Sequence, residues 1–193
     1  MSSADDATAV AVRVARSLER AGIEYAVGGS VAASAHGEPR ATRDLDFAIR
    51  LTPQLIPAFL NALGPDFSAD EASFRQAIRT GRAVNVFYLP FFTKIDFFVR
   101  GDADYDRAEF SRRIQIEIAP GEQIFASSAE DNLLWKLRWY RMGNEVSEQQ
   151  WRDVLGLIRV SGARMDEEYL RRWAIRHGIG DLLERALRQS ESP

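Results

Sequence analysis

Cysteine is absent from this chain of 193 residues, which excludes disulfides, thiolate zinc sites and cysteine nucleophiles together. Histidine is scarce. With only His36 and His177, metal centres and catalytic triads built on imidazole are poorly supplied. No apolar run approaches the roughly 20 residues of a membrane span, and the opening MSSADDATAV lacks the basic start of a signal peptide, so a cytoplasmic protein is expected. Lysine is nearly missing as well: among 25 basic residues only Lys94 and Lys136 are lysines, which singles both out. A net charge of −3 argues against wholesale coating of nucleic acid but leaves room for a local basic groove. What is present, 46% hydrophobic residues without repeats or low-complexity linkers, suffices for the core of one compact domain with a helical extension.

Apolar positions at Val10, Val12, Val14, Ala15 and Leu18, interleaved with arginines and Glu19, predict a helix over 5–21 that Gly22 ends. IEYAV then reads as a short strand entering Gly28 and Gly29, with Ser30 as N-cap of a small-residue helix. TRDLDFAIR is a second strand, placing Asp44 and Asp46 on one face and Leu45 and Phe47 on the other. Helices are expected from Pro53 to Gly64 and before Gly81, and AVNVFYLPFFTKIDFFV reads as two strands about a turn near Pro90 and Phe91. A charged helix from 104 and a strand in RIQIEIA follow, and past Pro120 the pattern is helical: 128–142, 147–160, 166–176 and 180–189.

Two aspartates at i and i+2 on a strand face the same way with Cα atoms about 6.5–7 Å apart, so their carboxylates can share hard divalent cations. Asp96, in the apolar strand KIDFF, is the candidate for a third, because a carboxylate there is costly unless paired or metal-bound. Taken alone, an Asp-x-Asp tripeptide is common and reads first as surface ion pairing, Asp44 with Arg43 or Arg50 and Asp96 with an arginine. Gly28, Gly29 and Ser30 supply the complementary half, a turn and helix start whose amides can approach phosphate. Arg43, beside the carboxylates, is a candidate phosphate contact, or a partner of Asp44. Trp135, Trp139, Trp151 and Trp173 fall at core-like helical spacing and read as packing, and Phe91, Phe92, Phe97 and Phe98 as filling the sheet faces.

The order GGS, DLD, ID resembles the nucleotidyltransferase superfamily of the polymerase-beta type. Within it, GEPRATRDLDFAI is similar to the G-x-x-R-x-T-x-D-h-D segment of small bacterial members related to AbiEii toxins and minimal nucleotidyltransferases. EDNLLWKLRWYR and WRDVLGLI match the helix lysine and aspartate segments of that branch, which points to Lys136 and Asp153. On its helix Asp153 lies off the stripe of Trp151, Val154, Leu155 and Ile158; a structural pair with Arg138 or Arg141 is its alternative, and a snorkelling surface lysine is that of Lys136. The resemblance spans about residues 20–160.

It implies an α+β nucleotidyltransferase fold, with a small mixed sheet backed by helices over 1–119 and a C-terminal helical bundle over 120–193 closing the cleft. It also implies transfer of a nucleoside monophosphate from a nucleoside triphosphate such as ATP to a hydroxyl, with magnesium ions, manganese being the alternative, held by Asp44, Asp46 and Asp96. Gly28, Gly29, Ser30, Arg43, Lys136 and Asp153 would bind the nucleotide. The acceptor suggested by the toxin branch is RNA, particularly a tRNA 3′ end, or a protein hydroxyl, with an antitoxin as partner. The alternatives are an aminoglycoside-type small-molecule enzyme, a non-catalytic nucleotide-binding regulator, and an interaction module paired with an antitoxin.

Overall fold

The computed structural model describes residues 3–35 and 44–191. A six-stranded mixed sheet in the order β3-β4-β2-β1-β6-β5 forms its centre. The strands are β1 (Tyr25–Val27), β2 (Asp44–Ile49), β3 (Val84–Tyr88), β4 (Thr93–Val99), β5 (Ile114–Ala119) and β6 (Glu122–Ala126). β2 runs parallel to β4 and antiparallel to β1, while β1 runs parallel to β6. Helices α1 (Ser3–Arg20), α3 (Ile56–Leu63) and α4 (Glu71–Thr80) cover one face; α2 (Gly29–Ala35) and α6 (Ala129–Met142) lie over the other.

Period-2 alternation decides which side chains go where. Leu45, Phe47 and Ile49 of β2, Ile95 and Phe97 of β4, and Val84 and Val86 of β3 point into a core with Val10, Val14 and Leu18 of α1. Phe97 is the hub of that core: its ring centroid lies 5.9 Å from Phe47, 5.5 Å from Phe59 and 5.7 Å from Phe74. Full burial of each such side chain stabilises by roughly 1.5–3 kcal/mol. The residues between them, Asp44, Asp46, Asp96, Phe98 and Asn85, are thereby forced onto the opposite face.

The strand β6 was not anticipated from the sequence. EQIFA is short and only half-buried on one side, so its alternation is weak; Gly121, in the left-handed region at φ 77°, makes the hairpin with β5. The sheet therefore continues to Ala126, past the expected boundary at 119. Ser30, expected as an N-cap, lies inside α2 instead, which begins at Gly29. Phe91 and Phe92 do not fill a sheet face: they sit on the β3–β4 turn, 52% and 80% exposed.

A second core joins α5 (Asp104–Ser111) and α6 to α7 (Glu148–Ser161), α8 (Glu167–Arg176) and α9 (Gly180–Glu191) through Leu133, Leu137, Val154, Leu157, Leu170 and Leu183. Its polar clasp is Asp131, fully buried. Ser128 caps α6 by accepting from the Asp131 amide at 3.1 Å, and its hydroxyl donates to the Asp131 carboxylate at 2.8 Å, while Tyr169 of α8 donates to the other oxygen at 2.6 Å. Burial pushes the Asp131 carboxyl up, and these donors pull it back. Asp131→Ala strands two buried hydroxyls, so a stability loss of about 2–4 kcal/mol is expected. Urea unfolding checks this; a loss below about 1 kcal/mol would show that the clasp is idle.

Candidate active site

Asp46 stands at the centre of the polar face. Its Cα is the direct partner of that of Asp96 in the parallel β2–β4 register, a neighbour spacing of about 4.8 Å, and Asp44 lies one repeat away on the same face. All three carboxylates therefore share one side of the sheet. The crowding shows in the Asp46 carboxyl, pushed up to about 6 by burial and then by the negative charges of Asp96 and Asp44, against the pull of Lys136 and Lys94.

The glycine turn is built around this residue. The Gly28 amide donates to the Asp46 carbonyl at 2.8 Å, prolonging the β1–β2 pairing by one residue. Gly29 has φ 57°, and a Cβ there would stand 2.0 Å from Asp46 Oδ2, so only glycine admits the carboxylate at this distance. From the other side, the Asn132 side-chain amide of α6 donates to the Gly29 carbonyl at 3.2 Å.

Asp96 is engaged by its own neighbours. Lys94 Nζ donates to Asp96 Oδ2 at 2.7 Å and the Asn85 amide donates to Oδ1. The ion-pair alternative thus holds for Asp96 in this state, though with a lysine rather than an arginine. Arg50 pairs with Glu24 and Asp102. Among the described residues no three His, Cys, Asp or Glu side chains stand as a ready-made metal cage. The donor chemistry nevertheless fits a hard divalent cation: three carboxylates on one face, one of them held above its ordinary range by burial and then by the charges of the other two.

Lys136 points inward. Its side chain is 14% exposed, its ammonium lies 3.2 Å from Asp153 Oδ2, and its charge acts on Asp46. Asp153 also accepts from Gln149 at 2.8 Å, which fixes the carboxylate between α6 and α7. Neither Arg138 nor Arg141 takes the role of its partner: Arg138 stacks on Trp135, and Arg141 pairs with Glu145 and Asp181. Gly28, Gly29, Asp46 and Lys136 line one cleft between the sheet and α6. Arg43 lies outside the described residues, as does His36.

Neither a protein-family model nor a curated protein sequence matches the chain. Solved structures do resemble it. A crystal structure of an antigenic nucleotidyltransferase-like protein from Paracoccidioides brasiliensis aligns at 21% identity and TM-score 0.50, over 80% of this chain and 76% of that one. The solution structure of the antibiotic-resistance factor ANT(2'')-Ia aligns at 13% identity and TM-score 0.57, over 94% and 97%. The fold is a nucleotidyltransferase fold. Its mixed sheet and helical second half agree with the architecture expected from the sequence.

Within this nucleotidyltransferase fold the cleft recruits residues that sequence reasoning passed over. Trp135 and Trp139, read as packing, line it together with Phe98, and Trp139 is 39% exposed. Arg100 and Glu109 line it as well. The strand parity 96, 98, 100 was the available signal for Arg100, since those positions share a face; Glu109, on a separate helix, had none.

Proposed function

We propose that the protein is a metal-dependent nucleotidyltransferase that moves a nucleoside monophosphate from a nucleoside triphosphate to a hydroxyl. The observation that carries this reading is the placement of Asp44, Asp46 and Asp96 on one sheet face against the glycine turn, with Lys136 across the cleft. Asp44, Asp46 and Asp96 would hold divalent cations, magnesium first and manganese second; bound there, such ions supply charge neutralisation and a lowered pKa for the attacking hydroxyl. Gly29 and Ser30 would place backbone amides beside the phosphates, while Gly28, its own amide engaged by the Asp46 carbonyl, would let the chain approach them. Lys136, oriented by Asp153, contributes a compact positive charge to the triphosphate, and Arg43 is a second candidate contact.

For the acceptor, the resemblance to AbiEii-type proteins favours RNA, a tRNA 3′ end above all, or a protein hydroxyl, in a cytoplasmic toxin neutralised by an antitoxin. A second reading, a small-molecule hydroxyl of the aminoglycoside kind, is favoured by the likeness to ANT(2'')-Ia, which extends over nearly the whole of both chains. Incubating the protein with each α-labelled triphosphate and magnesium, with total RNA, protein extract or an aminoglycoside panel in separate reactions, tests both. Label in RNA or protein selects the first reading and label in an aminoglycoside the second. No labelled product in any arm would remove the enzymatic proposal. No helix among the described residues is long and apolar enough to cross a membrane.

Lys136→Met keeps the buried stem and removes the charge. It is expected to weaken binding of a non-hydrolysable triphosphate with magnesium about tenfold, the equivalent of ~1.4 kcal/mol. Equal affinities of variant and wild type by calorimetric titration would end the role of this lysine.

A further inference from the structure

The cleft that Gly28, Gly29 and Asp46 line is also lined by Arg100, Glu109 and Trp135, further along the sheet. Asp96, Phe98 and Arg100 are successive same-face positions, so Arg100 lies four residues, about 13 Å, past the carboxylate centre. Ala48 and Phe98 floor this stretch, and Trp139 walls it, its ring 5.6 Å from that of Phe98 and edge-on to it. These are flat apolar surfaces suited to a planar ring.

The Arg100 guanidinium is held rigidly from behind. Arg100 Nε donates to Glu109 Oε2 at 3.0 Å, Trp135 Nε1 donates to Glu109 Oε1 at 2.9 Å, and the guanidinium carbon sits 4.0 Å from the Trp135 ring centroid. Glu109 is fully buried, with both oxygens occupied. The Arg100 side chain is only 10% exposed, yet among the described residues neither of its terminal nitrogens has a hydrogen-bond partner. Because neither nitrogen is sealed from solvent, this is a planar fork of donors fixed from behind and open to the cleft, placed for a ligand to accept from it.

We propose that this slot is a nucleobase site in which the Arg100 fork recognises a base edge carrying two adjacent acceptors, as guanine O6 and N7 or cytosine O2 and N3 do. Adenine presents its N6 amino group beside either N1 or N7, and uracil its N3–H between two carbonyls, so each places a donor against the fork. This rests on the nucleotidyltransferase reading and deepens it by naming the preferred triphosphates. The cavity measures about 60 Å³, below the ~300 Å³ at which ligand pockets begin, so the base must displace a wall. Trp139, 39% exposed, is the wall that borders solvent.

The test is calorimetric titration of the intact protein with GTP, CTP, ATP and UTP in magnesium without acceptor. GTP or CTP is expected to bind at least about tenfold more tightly than ATP and UTP, the low end of a bidentate base contact. Preference for GTP identifies the O6/N7 edge, and preference for CTP the O2/N3 edge in a slot too short for purines. Arg100→Lys keeps the charge and loses the fork, and is expected to level the four affinities. Because this variant disturbs a buried pair, a comparison on the wild type stands beside it. Inosine triphosphate, which differs from ATP in carrying an acceptor at C6, should bind more tightly than ATP unless purines are excluded as a class. Equal binding of all four triphosphates, or discrimination surviving Arg100→Lys, overturns the base site and leaves the nucleotide reading standing. Failure of every triphosphate to bind overturns both.

Discussion

Replacing Asp46 by asparagine is expected to lower nucleotide transfer by roughly a thousandfold, equivalent to about 4 kcal/mol of transition-state stabilisation. Asp46 is the member of the carboxylate set that touches both halves of the site: it pairs in register with Asp96, and its Oδ2 lies where a Gly29 side chain would be. Asparagine keeps the shape and removes the charge, so the turn and the β2–β4 register remain. Stability should not suffer. The folded carboxyl titrates near 6, above the ordinary 3.8, so at neutral pH the ionised group opposes folding, and that opposition fades as pH falls from about 6 toward 4. The metal-free variant is therefore expected to melt at or above the wild-type temperature at pH 7. A folded Asp46→Asn protein with near-normal transfer would leave the mechanism without its central residue.

Much of this site is legible in the sequence because two short-range rules suffice for it. Alternation on a strand puts Asp44 and Asp46 together, and the parity of KIDFF puts Asp96 on the polar face once β4 is placed beside β2. The scarcity of lysine marks Lys136, and the fold delivers it to Asp153 and the cleft. What was not legible depends on long-range placement. Nothing local distinguishes Trp139, at the cleft mouth, from Trp173, buried in the helical core, since both occupy helical positions among apolar neighbours. Glu109 becomes meaningful only when α5 is packed against Arg100 and Trp135. The exposure of Phe91 and Phe92 follows from a turn with Phe92 at φ 51°, an outlier that residue types alone do not announce.

The same long-range logic changes what the glycine pair is for. From the sequence, Gly29 is a residue that lets backbone approach phosphate; in the fold it is also the residue that lets the Asp46 carboxylate approach backbone. Both demands fall on one atom, the absent Cβ.

Gly29→Ala separates the two sources of cost at such a position. The left-handed φ of 57° alone costs an alanine about 1–2 kcal/mol. The added methyl meets Asp46 Oδ2 at 2.0 Å, a distance at which something must move. The turn is tied on one side by the Gly28 amide on the Asp46 carbonyl and on the other by Asn132 on the Gly29 carbonyl, so the carboxylate is the group that yields. A displacement of about 1 Å in a reacting constellation lowers rate about a hundredfold, and that loss of transfer is expected here with a stability cost of roughly 1–3 kcal/mol. Gly22→Ala is the matched control. Gly22 has φ 69° with nothing within 4 Å of its would-be Cβ, so it carries the backbone strain without the clash. Transfer should survive in Gly22→Ala and collapse in Gly29→Ala at comparable losses of melting temperature. Equal activities in the two variants would mean that the Asp46 carboxylate can leave its place beside the turn without consequence, and the assignment of this face as the reaction centre would fall with it.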